Sequence, residues 1–115
     1  LESIRFMDGR CIVSSLRKKD MEFYQVQPKH LDGIVSQLKL TKGVDVAIFM
    51  YELENGTFKV SLRSTEAVDV SEVARYFGGG GHVRAAGCTM SGTVHDVINN
   101  LSRRIELQMK GGNEA

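Results

Sequence analysis

The chain has one proline, two cysteines and three histidines in 115 residues, and each scarcity removes a class of explanation. Two cysteines, Cys11 and Cys88, make no disulfide framework, and the first ten residues lack the basic and then apolar order of a signal peptide, so reduced thiols in a cytoplasmic protein are expected. No apolar stretch approaches the roughly 20 residues that cross a bilayer, and no membrane association is expected. A formal net charge of +1 without a block of like charges excludes a broad electrostatic grip on duplex DNA and leaves room only for a short anion site. The aromatics form no periodic platform for tracking a single strand. His30, His82 and His95 are far apart, and no HExxH or CxxC spacing occurs, so no metal ligand is assigned and His30 and His95 read as surface residues.

What is present suits one domain, residues 1–115: 42% hydrophobic and 25% charged residues, enough for a single core. The chain begins at Leu1 rather than Met and reads as strand from there, which suggests a piece of a longer protein. Ile4 and Phe6 alternate with Arg5 and Met7, Asp8-Gly9 signals a hairpin, and Cys11 to Leu16 is apolar and β-prone. A polar stretch, Arg17 to Pro28, precedes Leu31, Ile34, Val35 and Leu38, whose spacing marks one helix face ending near Gly43. From Val44 to Tyr51 both alternating sets are apolar, as in a central strand buried on two faces. Asn55-Gly56 supplies a type I′ turn, and Phe58, Val60 and Leu62 then alternate with Lys59, Ser61 and Arg63. Ser71 is the expected N-cap of a helix over Glu72 to Phe77, with Val73, Ala74 and Phe77 inward. A further helix is expected after His82, cut short by Gly87, then a brief strand from Cys88 to Met90. Thr93 and Asp96 form a capping box for a last helix facing inward through Val94, Val97, Ile98, Leu101 and Ile105, fraying past Lys110. Met50, Met90, Tyr51 and Tyr76 read as core or half-buried packing.

The run Gly78-Gly79-Gly80-Gly81 is the feature that composition does not explain, because four glycines lose more chain entropy on ordering than any other tetrapeptide. Glycines let a backbone turn successive N–H groups toward one anion, and His82 follows, able to donate to a phosphate or sugar oxygen. No Lys-Ser/Thr pair follows the run, so it is not a Walker loop; position 83 is valine, so it is not the dinucleotide fingerprint. As a bare tetrad it leaves two readings open, an anion grip and a flexible connector.

The wider string is Val60-Ser61-Leu62-Arg63-Ser64, Val68-Asp69-Val70-Ser71, Ala74, Phe77-Gly78-Gly79-Gly80-Gly81-His82 and Ala85-Ala86-Gly87. It closely resembles the DHH-associated domain of subfamily one, the C-terminal domain of DHH-family phosphoesterases, which include NrnA-like bifunctional oligoribonuclease/pAp phosphatases, cyclic-di-AMP phosphodiesterases and RecJ-type exonucleases. The resemblance implies that Gly78, Gly79, Gly80, Gly81 and His82 hold phosphate and nucleotide groups of the substrate while Arg63 and Ser64 complete the pocket wall. A guanidinium at a strand end suits that role, since it pairs with phosphate through two parallel hydrogen bonds; without the motif, a solvated strand-end arginine is the better reading of Arg63. Ala85, Ala86 and Gly87 read as small residues that allow close helix packing, and Arg84 as facing either ligand or water. The resemblance also implies a manganese pair held by aspartates and histidines of an N-terminal DHH domain that this chain lacks. No Asp-His-His triplet occurs here, Asp69 and Glu72 are accounted for by a turn and a helix start, and Phe77 by the core, so no catalytic residue is assigned and the isolated chain is expected to be inactive.

The expected fold is α+β (α/β), a mixed, mostly antiparallel sheet of about five strands packed by helices, with the glycine run at the sheet edge. The expected function is substrate binding for hydrolysis of short oligonucleotides, pAp or cyclic dinucleotides by the parent enzyme. The alternative is a single-stranded nucleic-acid-binding module of a RecJ-type exonuclease; a regulatory or oligomerisation domain is a third reading, and a homodimer is compatible with each.

Overall fold

The computed structural model describes residues 3–25, 31–54 and 56–114; Pro28, His30 and Asn55, each singled out above, lie outside the described residues. Strands β1 (Ser3–Phe6) and β2 (Cys11–Leu16) are followed by helices α1 (Lys18–Tyr24) and α2 (Leu31–Lys39). Then come β3 (Val46–Glu54), β4 (Thr57–Ser64), α3 (Val70–Tyr76), β5 (Gly80–His82), β6 (Ala85–Ser91) and α4 (Val94–Glu114). The six strands form one sheet in the order β1-β2-β3-β4-β6-β5. Only β2 and β3 run parallel, and α1 and α2 lie in the crossover that such a pair requires. The fold class is the mixed, mostly antiparallel α+β sheet expected, with six strands rather than about five.

The β-signals act as read. Asp8 and Gly9 both stand at positive φ (57° and 81°), as the two central residues of a type I′ turn must, and Arg10 N–H closes the turn on the Met7 carbonyl at 3.2 Å. Val46 to Met50 are all buried, because β3 has helices on both faces: Val46, Ile48 and Met50 join the core under α3 and α4, while Ala47 and Phe49 join the core under α2. In β4 the period-2 pattern splits cleanly, with Phe58, Val60, Leu62 and Ser64 buried and Thr57, Lys59, Ser61 and Arg63 half-buried on the other face. Each large apolar side chain so buried contributes about 1.5–3 kcal/mol.

Four local expectations are corrected. The polar stretch after Arg17 contains α1, a two-turn helix without an apolar stripe or a side-chain cap, ended by Gln25 in the left-handed region. Asp69, not Ser71, caps α3: its carboxylate accepts from Ser71 N (2.9 Å), Glu72 N (3.2 Å) and the Ser71 hydroxyl, since an ionised oxygen is the stronger acceptor for the exposed N–H groups of a first turn. No helix follows His82; β5 turns through Val83 and Arg84 into β6, whose Ala85 and Ala86 pair with Arg63 and Leu62. Helix α4 continues to Glu114, past the expected fraying point. Its start matches the capping box, with Thr93 N to Asp96 Oδ2 at 2.9 Å and Asp96 N to Thr93 Oγ1 at 3.1 Å.

The Ser71 hydroxyl, followed by the amides of Glu72 and Ser71, holds the Asp69 carboxyl below its ordinary value of 3.8. A depressed folded value stabilises the fold fully above the unfolded value and loses that contribution as pH falls through the folded one. Asp69→Ala should therefore cost about 1 kcal/mol at pH 7 in urea unfolding, and the difference from the parent chain should shrink as the pH is taken below 3.8. A difference that stays constant down the acid limb would remove the cap from the account.

Candidate functional site

In an antiparallel sheet, directly opposed residues share a face, so the register shows which side chains meet. Arg63 of β4 stands opposite Ala85 of β6, and Ala85 stands opposite His82 of β5. One step along, Ser61, Gly87 and Gly80 form the next row of the same face, and Lys59 opposite Thr89 forms the one after. Helix α2 lies over β2, β3 and β4 on this side. Beyond it the face of β6 and β5 is open, with Thr89 and His82 exposed and Ala85, Gly87 and Gly80 half-buried. The result is a ledge floored by residues with little or no side chain and bordered by Arg63, Lys59 and His82. No acidic residue occurs anywhere in β4, β5 or β6.

The four glycines have separate reasons to be glycine. Gly78 has φ +87° and ends α3 in a Schellman motif: its N–H bonds the Arg75 carbonyl at 3.0 Å, and Gly79 N–H bonds the Ala74 carbonyl at 2.8 Å. Two of the amides expected to point at an anion are thus spent on the helix end. A Cβ on Gly79 would stand 2.1 Å from the Gly87 carbonyl oxygen, and one on Gly81 2.6 Å from Ala86 Cα, so the edge strand reaches β6 only because both lack side chains. Gly80 differs from its neighbours, for a Cβ there would meet nothing within 4 Å and its φ is not in the left-handed region.

Arg63 and His82 are therefore brought together across Ala85, with Gly80 beside them. Ser64 is not on the ledge: it is 1% exposed, and its hydroxyl donates to the Val68 carbonyl at 2.7 Å. Arg84 is half-buried and bonded to its own chain. Its Nη1 donates to the Val68 carbonyl (2.8 Å), the Ser64 hydroxyl (3.2 Å) and the Thr65 carbonyl, tying the 65–69 segment to the β5–β6 turn. The Arg63 guanidinium donates to the Leu62 carbonyl at 3.0 Å. Lys59 was not singled out as a site residue, yet the ammonium lies 3.8 Å from where a Gly87 Cβ would be; the alternation Lys59, Ser61, Arg63 was its only signal.

Burial pushes the Cys11 thiol up to about 12 and the Cys88 thiol to about 11, so both are protonated and unreactive near neutrality. One concavity of about 440 Å³ lies beside α1, where Arg17, Lys18 and Lys19 meet Glu22 and Glu52, and another of about 180 Å³ lies between α3 and α4. The first mixes both charge signs. The second is bordered by Tyr76, 62% exposed rather than half-buried as expected, with Arg104 packed 4.1 Å over its ring. Among the described residues no three His, Cys, Asp or Glu side chains converge as a metal site would need, and no helix is long and apolar enough to cross a membrane.

The DHHA1 domain family model matches residues 8–111. The chain is 33% identical over 115 aligned positions to oligoribonuclease NrnB of Bacillus subtilis, covering 91% of this chain and 29% of that protein. It is 41% identical over 61 residues to the bifunctional oligoribonuclease and PAP phosphatase NrnA of Thermus thermophilus, covering 53% of this chain and 18% of that protein. It thus spans less than a third of either relative's length. Among solved structures, an exopolyphosphatase-related protein from Bacteroides fragilis has the same fold, with a TM-score of 0.82 and 24% identity over 94% of this chain and 32% of that one.

The glycines separate by experiment. Gly79→Ala should destabilise the chain by roughly 1–3 kcal/mol through the forced clash with β6, whereas Gly80→Ala should be neutral or stabilising by up to about 1 kcal/mol, because alanine reduces unfolded-state freedom at no folded-state cost. Equal losses in thermal unfolding would refute the separate roles.

Proposed function

We propose a function from one premise: the chain belongs to the DHHA1 domain family. On that premise it is the substrate-binding domain of a cytoplasmic DHH phosphoesterase that hydrolyses short oligonucleotides, pAp or cyclic dinucleotides, and the ledge is where the nucleotide phosphate rests. Gly80 is the observation that carries this reading. Its neighbours are glycine because the fold needs them to be, but the space over Gly80 is empty of protein, and a glycine left bare beside an arginine and a histidine suits close approach of a ligand to the backbone.

The residues divide the work accordingly. Arg63 binds phosphate oxygens through its planar fork, His82 donates from across Ala85, and Gly80 and Gly87 let the sugar-phosphate lie against the sheet. The absence of carboxylates from the three strands keeps repulsion from the anion small. Among the described residues nothing covers the β5–β6 part of the ledge, and an open face becomes a water-poor cleft only when a second surface closes over it. The proposed second surface is an N-terminal DHH domain that holds manganese. The side chains of this chain do not fit that metal, having no converging donor set among the described residues, and their part is to hold and orient the phosphate.

Isothermal titration with the 5′-phosphorylated dinucleotide pApA tests the assignment. Arg63→Ala and His82→Ala should each lose about 1.5–3 kcal/mol of binding, the worth of a hydrogen bond to a charged group. Gly80→Ala should keep or raise its thermal midpoint and still bind more weakly. Unchanged affinity in all three variants would leave the ledge without a ligand. The chain alone, supplied with manganese, should release no mononucleotide; release would refute the two-domain division of labour.

A further inference from the structure

The ledge carries a cation that the phosphate reading above does not use. Lys59 lies on the same face of β4 as Arg63, four residues earlier, and its ammonium leans back over the Gly87 row, 3.8 Å from the position of a Gly87 Cβ. That row is one two-residue step from the Arg63–Ala85–His82 row, or about 7 Å at roughly 3.3 Å per strand residue. The floor between the two positive points is Ser61, Gly87 and Gly80, without a bulky side chain and without an acidic residue in any of the three strands.

We propose that Lys59 is a specificity-determining residue that holds a second phosphate, one nucleoside away from the phosphate at Arg63 and His82. The spacing carries the argument: successive phosphates of a nucleotide chain are joined by six backbone bonds of about 1.5 Å, whose zigzag spans about 7 Å. A ligand with one phosphate reaches Arg63 and His82 alone. A ligand with two phosphates on either side of one nucleoside reaches Lys59 as well, and the exposed hydroxyl of Thr89 stands beyond for a longer chain. A lysine suits this end of the ledge because a compact ammonium on a long stem tolerates variation in where the second phosphate falls, whereas the planar fork of Arg63 does not.

The inference rests on the phosphate-ledge reading, and the test separates the two. Adenosine 5′-monophosphate and adenosine 3′,5′-bisphosphate are titrated into the 115-residue chain, followed by amide chemical shifts over a salt series. The parent chain should prefer the bisphosphate. Lys59→Gln should cost about tenfold in bisphosphate affinity, leave the monophosphate unchanged, and flatten the bisphosphate salt slope by about 0.7, the single-strand value for one lost phosphate contact. Lys59→Arg should restore both preference and slope, which a purely structural role would not predict. Equal weakening of the two ligands by Lys59→Gln, or no weakening of either, would overturn the proposal while Arg63→Ala and His82→Ala still lowered affinity. A parent chain that binds neither ligand would overturn the phosphate ledge and this inference with it.

Discussion

The contact on which the rest of the site depends is the approach of Gly79 to the carbonyl of Gly87. No side chain larger than hydrogen fits there, since a Cβ would stand 2.1 Å from that oxygen. The approach brings the chain leaving α3 straight back onto β6, so that a helix stop and an edge strand follow each other without an intervening loop. The Schellman bonds from Gly78 and Gly79 fix the direction of departure, and Arg84 fixes the return by gripping the carbonyls of the segment between β4 and α3. His82 is delivered to the row of Arg63 by this route and by no local preference of its own.

The two faces of the sheet are built for different purposes from one alternation. On one side Leu62, Val60 and Phe58 enter the core under α3 and α4, which capping at Asp69 and the Thr93–Asp96 box hold at their starts. On the other side α2 stops short of β6 and β5, and the residues there are small or basic. Burial of one face fixes the register of β4, because a one-residue slip would turn Leu62 outward and Arg63 into the core. The precision with which Arg63 faces the ledge is therefore a by-product of the hydrophobic pattern beneath it. Two further ties brace the α3 side, Gln108 bridging Asp69 and Glu72, and Arg104 paired with Glu72 while stacked on Tyr76.

Most elements were legible as patterns. The β1–β2 hairpin, α2, the doubly buried β3, the half-polar β4 and the start of α4 all follow from period and turn chemistry, since each is decided by residues close in sequence. Helix α1 was not legible, because two turns without an apolar stripe carry no periodic signal. The segment after His82 was misread because Ala85 and Ala86 favour helix locally, and the pairing with Leu62 and Arg63 that overrides them comes from residues some twenty positions away. Ser64, a member of the string and an expected wall of the pocket, turns inward in space, and Arg84 beside it is likewise committed to backbone carbonyls.

From its sequence alone this protein was read as a mixed α+β chain of the DHH-associated kind with Arg63, Ser64, the glycines and His82 as its candidate grip, because those residues form a string of fixed spacing. Only the tertiary structure decided where each of them stands. Whether a glycine is needed by a helix end, by a neighbouring strand or by neither depends on what lies within a few ångströms of its Cα, and that is set by long-range pairing. The glycine run is thus three features: Gly78 stops a helix at positive φ, Gly79 and Gly81 admit an edge strand, and Gly80 combines open space with a φ that any residue adopts. Lys59 entered the site for the same reason, carried there by β4 lying beside β6.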